Sequence, residues 1–265
     1  MEPTYLDAII ESHRRRAALD TRNWQARVEE ISYGGPSFIN ALRQGASPFI
    51  KVIAEIKRRS PSKGWLGSNL DPVALAKVYR DGDATAVSVL TDSEFFAGSL
   101  DDLRAVRRSI ALPLLRKDFT VCENDVLDAA EEGAGAVLLI VAALSDEELA
   151  SFIDLALGCG IDALVEVHDV EEVARALDSG AQMIGVNQRD LQTFEVDPTR
   201  AGTVAETIPL ECLIICESGL SDVADVERAA QSGFDAVLIG EALVMSNDPG
   251  ALLKTFSLVP SVQRG

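Results

Sequence analysis

The sequence predicts an α/β chain folded as a single (β/α)8 (TIM) barrel with an N-terminal helical extension, and three features carry that prediction. Short apolar runs rich in Val, Ile and Leu recur along the chain and read as strands buried on both faces. A glycine stands shortly before most of these runs, where a helix ends in the left-handed conformation. Capping residues stand after them, where the next helix begins.

In chain order, Tyr5 to Leu19 has helical character, and Pro36 to Arg43 suits a second, short helix. Both precede the first strand and read as a cap on the barrel. Strands are expected near 50–57, 84–90, 113–117, 136–141, 162–167, 182–187, 212–216 and 235–239, each followed by a helix. The helix-end glycines are Gly82, Gly133, Gly160, Gly180 and Gly233. Asp71-Pro72 and Asp248-Pro249 each place a capping carboxylate before a proline at the first helical position. Ser99-x-x-Asp102 and Ser145-x-x-Glu148 have capping-box spacing. After Ser145, the residues Leu149, Phe152, Ile153 and Ala156 fall on one helical face. Eight such units favour a closed barrel. A doubly wound open sheet is the alternative, but no G-x-G-x-x-G follows the first strand. Residues 1–265 are expected to form one domain, with the cap at 1–49 and the barrel at 50–258.

Composition narrows the function. The chain is 47% hydrophobic and 25% charged, as soluble globular proteins are. A net charge of −18 repels phosphate backbones and argues against nucleic-acid binding. It also requires that any anionic substrate meet a locally positive site. The longest apolar run, from about Ala134 to Leu144, is too short to span a bilayer, so no membrane partner is expected. The first residues are acidic and lack a signal-peptide core. Cys122, Cys159, Cys212 and Cys216 form no Cys-x-x-Cys pair and read as free thiols of a cytoplasmic chain. His13 and His168 are too few and too scattered for a zinc site. The Ser12-His-Arg-Arg-Arg16 run around His13 reads as a solvated helix face, with approach of the basic run to the barrel mouth as the alternative, and His168 as a loop or helix-start residue.

In a (β/α)8 barrel the chemistry sits where strands end and β-to-α loops begin. Polar residues gather at those ends here. The first strand ends Ile53-Ala-Glu-Ile-Lys57, and the third ends Leu115-Arg-Lys-Asp-Phe119. The fifth carries Glu166, the sixth Asn187 and the seventh Glu217-Ser218. Strand alternation turns Glu55 and Lys57 the same way, into the barrel mouth. One charged residue at a strand end is ordinarily a solvated loop residue or half of a structural ion pair. Three carboxylates and two lysines converging on one mouth are costly to bury unless they pair or act in chemistry. A phosphate site is suggested by Ser218-Gly219 after the seventh strand and Gly240-Glu241 after the eighth. Glycine there lets backbone N–H groups approach an anion. Lys57 and Arg189 would add positive charge.

These residues are similar to a known family. Val52-Ile-Ala-Glu-Ile-Lys-Arg-Arg-Ser-Pro-Ser-Lys-Gly64 resembles the first-strand signature of the indole-3-glycerol phosphate synthases. So do Val89-Leu-Thr-Asp92 with Phe95-Phe96-x-Gly98-Ser99, Leu115-Arg-Lys-Asp-Phe119, Leu164-Val-Glu-Val-His168, Ile184-Gly-Val-Asn-Gln-Arg-Asp-Leu191, Glu217-Ser-Gly219 and Ile239-Gly-Glu-Ala242. The resemblance runs from about residue 4 to 257. Two departures stand out: Gln188, where the family often has a second Asn, and Cys216, where Ala or Ser is more usual. Neither is expected to touch a matched catalytic position, and Cys216 is expected to be a buried strand residue.

The resemblance implies a substrate, 1-(2-carboxyphenylamino)-1-deoxyribulose 5-phosphate, converted to indole-3-glycerol phosphate, CO2 and water in tryptophan biosynthesis. It implies that Lys117 is the general acid at the ribulose carbonyl and Glu166 an acid/base residue, with Lys57 acting in the dehydration. Glu55 and Asn187 would hold the anthranilate part, Glu217 would lie near the sugar hydroxyls, and Ser218 would contact substrate and phosphate. Ser60, Arg189, Gly219, Gly240 and Glu241 would serve the anionic end. Phe96, Phe119 and Leu191 would pack on the aromatic ring or simply anchor their loops. No metal or cofactor is implied, because the leaving carboxylate and the amine already lie in the substrate. A small phosphorylated molecule is the expected partner, and a monomer or weak homodimer the expected state. Three rivals remain: a phosphoribosylanthranilate isomerase, for which no Cys/Asp pair is matched; a Schiff-base lyase using Lys117 or Lys57; and a non-catalytic barrel, against which the intact polar mouth argues.

Overall fold

The computed structural model describes residues 5–43, 48–189, 196–262 and 264. The eight expected runs are its eight barrel strands: β1 (Lys51–Ile56), β2 (Ala86–Leu90), β3 (Leu114–Lys117), β4 (Ala136–Ile140), β5 (Asp162–Val167), β6 (Met183–Asn187), β7 (Leu213–Glu217) and β8 (Ala236–Ile239). Each pairs in parallel with its neighbours in sequence, and β8 closes on β1, with Val52 beside Val237.

Closure sorts the residues of each strand by parity. Ile53, Leu115, Leu138, Leu164, Met183, Ile215 and Leu238 form an inner cluster. Val52, Leu114, Val137, Val165, Ile184 and Ile214 face the helices in a larger outer core. Continuing the inner parity toward the C-terminal ends reaches Glu55, Lys117, Glu166 and Glu217 one step on, and Asn187 two steps beyond Met183. The inner face turns polar there, where it opens, while Ile140 keeps β4 apolar.

The helices are α1 (Tyr5–Leu19), α2 (Trp24–Val28), α3 (Phe38–Arg43), α4 (Pro72–Asp81), α5 (Leu100–Ser109), α6 (Glu123–Glu131), α7 (Asp146–Gly158), α8 (Val170–Asp178), α9 (Pro198–Ala205), α10 (Val223–Gln231), α11 (Glu241–Met245) and α12 (Pro249–Phe256). Asp71 and Asp248 cap α4 and α12 ahead of proline, Ser99 caps α5, and Ser145 with Glu148 completes a capping box on α7. Gly133, Gly160, Gly180 and Gly233 have φ of 80–87° after their helices, as expected. Gly82 does not, since its φ is −90° and Asp83 takes the left-handed position at 69°. Gly82 is small for another reason: a Cβ there would sit 3.1 Å from Leu253 Cδ2, where α12 crosses the end of α4. A short antiparallel hairpin, Arg59–Ser60 with Gly64–Trp65, follows β1 and was not foreseen.

The N-terminal extension touches both ends of the barrel. Phe38, Ile39 and Leu42 of α3 join the inner cluster, and Ile39 N–H donates to Asp162 at the start of β5. That contact places α3 as a plug at the bottom. At the other end, α1 lies across the loops after β2 and β3. His13 is therefore not on a solvated face. It is buried, with Nε2 2.8 Å from Asp92 Oδ2 and its ring 5.4 Å from that of Phe119. Of the arginines that follow it, Arg15 and Arg16 are exposed, while Arg14 donates to the Val121 and Ala143 carbonyls and to Glu148.

Candidate active site

Every expected site residue among the described ones borders a single cavity of about 460 Å³ at the C-terminal ends of the strands. Leu191 lies outside the described residues. The parity of β1 puts Glu55 and Lys57 side by side, with Lys57 Nζ 2.5 Å from Glu55 Oε1. Lys117, at the end of β3, reaches across the barrel to Glu166 Oε2 on β5 at 3.2 Å and Glu217 Oε2 on β7 at 3.5 Å. Asn187 Nδ2 donates to Glu166 Oε1 at 3.0 Å. Asn187 Oδ1 accepts from Arg189 N–H, which fixes the amide's orientation. Two glycines make room for the carboxylates: a Cβ at Gly185 would overlap Glu217 Oε1, and one at Gly240 would overlap Glu55 Oε1.

Burial and charge separate the roles of these groups. Burial would strip Lys117 of its proton, but Glu166, Glu217 and Glu55 hold it, and its pKa lies well above the usual lysine range. Burial pushes Glu166 up as well. The Lys117 ammonium outweighs that, helped by His168 and by hydrogen bonds from Asn187 and Lys117, so Glu166 stays below the usual carboxylate range. Glu217 goes the other way. Burial, opposed by Lys117 but reinforced by Glu166 and Glu55, pushes it up to about 8. Its Oε1 is buried without a hydrogen-bond partner among the described residues. One ammonium cannot serve two carboxylates equally, and Glu166 has the shorter contact. With Glu217 neutral, Lys57 and Lys117 balance Glu55 and Glu166. Two carboxyl groups with pKa values driven apart are the usual signature of an acid and base pair.

The same cavity is lined by the turns after β7 and β8. Ser218 and Gly219 are consecutive left-handed residues, both with φ of 69°. Gly240 and Glu241 stand beside them at the start of α11. A carboxylate repels an anion, so it is the Glu241 backbone that suits a phosphate. Its side chain turns to Lys63 Nζ, 3.4 Å away. Ser60 and Arg189 complete this wall. Phe96 and Phe119 flank the opening with ring centroids 6.3 Å apart.

Three contributors were not foreseen. Tyr5, Leu6 and Ile9 of α1 line the cavity. The signal was present, since Tyr5, Ile9 and His13 share a helical face at i, i+4 spacing and Leu6 joins it at i, i+3 from Ile9. His168 lies at a helix start as expected, its N–H donating to Glu172, yet its Nε2 also stands 3.6 Å from Glu166 Oε1. Finally, Gln188 does touch a matched position. Its side-chain amide donates to the Ser218 carbonyl at 3.0 Å and to Cys216 Sγ at 2.8 Å. Cys216 itself is a buried strand residue, as expected, with its thiol pushed far up by burial.

His13, Asp92 and Asp118 also gather closely enough to suggest a cation site. Their ligand atoms are already engaged. Arg16 reaches His13 Nδ1 at 2.8 Å. Asp92 Oδ1 accepts from Phe95 and Phe96 N–H. Asp118 Oδ2 accepts from Thr91 and Arg116, and its Oδ1 from Phe119 N–H. The cluster is a bolt holding α1 and the Phe96 loop to the end of β3. No helix among the described residues is long and apolar enough to cross a membrane.

Comparison with known proteins agrees with this geometry. Among solved structures, the thiamine phosphate pyrophosphorylase of Pyrococcus furiosus has a similar fold. The TM-score is 0.59 at 14% identity, covering 78% of this chain and 93% of that one. The N-acetylmannosamine-6-phosphate 2-epimerase of Clostridium perfringens matches with a TM-score of 0.57 at 13% identity, covering 73% and 86%. At such identities the likeness concerns the fold alone. In sequence, the indole-3-glycerol phosphate synthase of Rhodococcus jostii is 47% identical over 251 residues, 93% of this chain and 92% of that protein. The synthase of Kineococcus radiotolerans is 53% identical over 200 residues, 76% of this chain and 73% of that protein. That of Chlorobium phaeovibrioides is 43% identical over 248 residues, covering 92% and 96%. The family model for indole-3-glycerol phosphate synthase matches residues 6–256, and the chain belongs to that family.

Proposed function

We propose that the chain closes the indole ring of indole-3-glycerol phosphate from 1-(2-carboxyphenylamino)-1-deoxyribulose 5-phosphate, releasing CO2 and water. The observation that carries this is Lys117, a partly buried ammonium 3.2 Å from Glu166 and 3.5 Å from Glu217 at the centre of the mouth. The ring carbon bearing the carboxylate attacks the ribulose carbonyl, and Lys117 gives its proton to the carbonyl oxygen as the C–C bond forms. A cation there also stabilises the developing alkoxide. Loss of CO2 returns its bonding pair to the ring. The new hydroxyl then leaves as water, with Lys57 and Glu166 moving the protons of that step. Glu55 and Asn187 hold the anthranilate end, and Glu217 faces the sugar hydroxyls. Ser218, Gly219, Gly240, Ser60 and Arg189 take the phosphate. Phe96 and Phe119 flank the aromatic ring.

The test is turnover of that substrate by purified protein in EDTA, followed by indole fluorescence. Product should appear without added metal, and silence from a folded chain would overturn the proposal. A borohydride trap run in parallel should capture no adduct, which separates this chemistry from a Schiff-base lyase.

The pH profile should carry the mark of Glu217. Its proton is lost as pH rises through about 8, and a third negative charge then enters the mouth. Lys117 keeps its proton in that range and cannot cause a limb there. We therefore expect kcat/KM to fall above about pH 8 in the wild type and to stay level through that range in Glu217→Gln. A limb unchanged in the variant would remove Glu217 as its cause. The stability sign is the same. A carboxyl whose folded pKa is raised contributes most below its unfolded value, and the contribution fades as pH rises through the folded one.

A further inference from the structure

We propose that Gln188 is a positioning residue for the substrate's anionic end, setting the shape of the Ser218–Gly219 turn from behind. This rests on the assignment of that turn to the phosphate. Ser218 is a non-glycine residue at φ 69°, a conformation that persists only where the surroundings impose it. The turn forms a thin wall between two cavities. The substrate cavity lies in front, and a second cavity of about 280 Å³, bordered by Gln188, Cys216, Gly219 and Leu220, lies behind. Val196 packs on Gly219, and the second cavity borders the turn from the same side as Gln188. The Gln188 amide makes a directed contact there, donating to the Ser218 carbonyl at 3.0 Å.

Gln188 is well anchored for this task. Its N–H donates to the Glu217 carbonyl at 2.9 Å, and its own carbonyl accepts from Asp197 N–H at 3.0 Å. Its side chain has the outer parity, opposite to Asn187, so it never reaches the substrate cavity's floor. Cys216, one strand over with the same outer parity, receives the amide's other N–H at 2.8 Å. The two departures from the family pattern are thus a single contact. A sulfur at 216 offers the glutamine an acceptor that an alanine would not.

Gln188→Met keeps the length of the side chain and removes the donor. We expect the substrate KM, and the inhibition constant of inorganic phosphate, to rise together about five- to tenfold, with kcat within twofold. That range corresponds to loss of one modest hydrogen bond. Gln188→Glu, which is isosteric and presents an acceptor where the donor was, should raise both at least as much. It serves as the second variant if the first fails to fold. Cys216→Ala removes only the sulfur contact and should leave both constants within twofold. Ser218→Asp, which repels the phosphate directly, is the control for the site itself. If KM and the phosphate constant stay within twofold in both Gln188 variants while Ser218→Asp raises them, the proposal is wrong and the phosphate site stands. If Ser218→Asp changes neither, the phosphate lies elsewhere and both fall. A Gln188 variant in which kcat, KM and Tm worsen together would assign the residue to stability alone and also overturn the proposal.

Discussion

Lys117→Ala is expected to lower kcat by about two orders of magnitude or more, the scale of a lost general acid. The lysine touches both Glu166 and Glu217, so its removal takes away a proton donor and a counter-charge together. Those losses can be told apart. Lys117→Met keeps the volume and should be as inactive as the alanine variant. Lys117→Arg restores the charge, but a guanidinium rarely gives up its proton, and activity should remain at least tenfold down. Small alkylammonium ions added to Lys117→Ala should recover part of kcat, because they can enter the vacated space with a proton to give. Folding should survive all three changes. Glu217 is neutral already, and Glu166 can take a proton when its partner leaves, which limits the stability loss. A fall in kcat of less than fivefold would remove Lys117 from the acid role.

The site was legible in the sequence to the extent that it follows strand parity. Glu55 and Lys57 two apart on β1, and Leu115 and Lys117 two apart on β3, show their inner direction once the strand is recognised. The glycine turns after β7 and β8 could be placed for the same reason. His13 could not, because a run of three arginines follows it and masks the one buried face of α1. Its partners Asp92 and Asp118 lie 79 and 105 positions away in the chain, and nothing local relates them. The Gln188–Cys216 contact was illegible for a similar reason. Both residues could be assigned to strand ends, but only the pairing of β6 with β7 brings their outer faces together. The hairpin after β1 has two-residue strands, too short to show a period of two.

Parity also sets the part that Arg116 plays. Arg116 stands beside Lys117 in the third-strand motif, yet alternation sends it outward, away from the substrate cavity and under α6. It is 3% exposed. It donates to Asp118 Oδ2 at 3.0 Å, to Thr91 Oγ1 at 3.1 Å and to the Asp125 carbonyl, and it lies 3.7 Å from Asp125 Oδ1. One face of β3 thus presents a cation to the cavity while the other uses a cation to bind the barrel to its N-terminal helix through Asp118 and His13.

Arg116→Met should accordingly be the most destabilising of these substitutions. Burial alone would raise the Asp118 pKa, but Arg116, the Thr91 hydroxyl, His13 and Arg16 together hold it below the usual range. Removing the arginine takes from buried Asp118 the cation 3.0 Å away, a change that typically costs about 3–5 kcal/mol. For a chain of this size that corresponds to a fall in Tm of roughly 10 °C. The pH dependence is the sharper check. A carboxylate with a depressed folded pKa contributes stability above its unfolded pKa and loses it as pH falls through the folded value. The wild type should therefore exceed the variant most at neutral pH. The gap should narrow below about pH 4, where aspartates in the variant can take up a proton in place of the missing cation. A gap in Tm that stays constant from pH 7 down through pH 4 to pH 3 would mean that Arg116 stabilises the barrel by packing rather than charge, and the bolt that holds α1 over the cavity would then need another account.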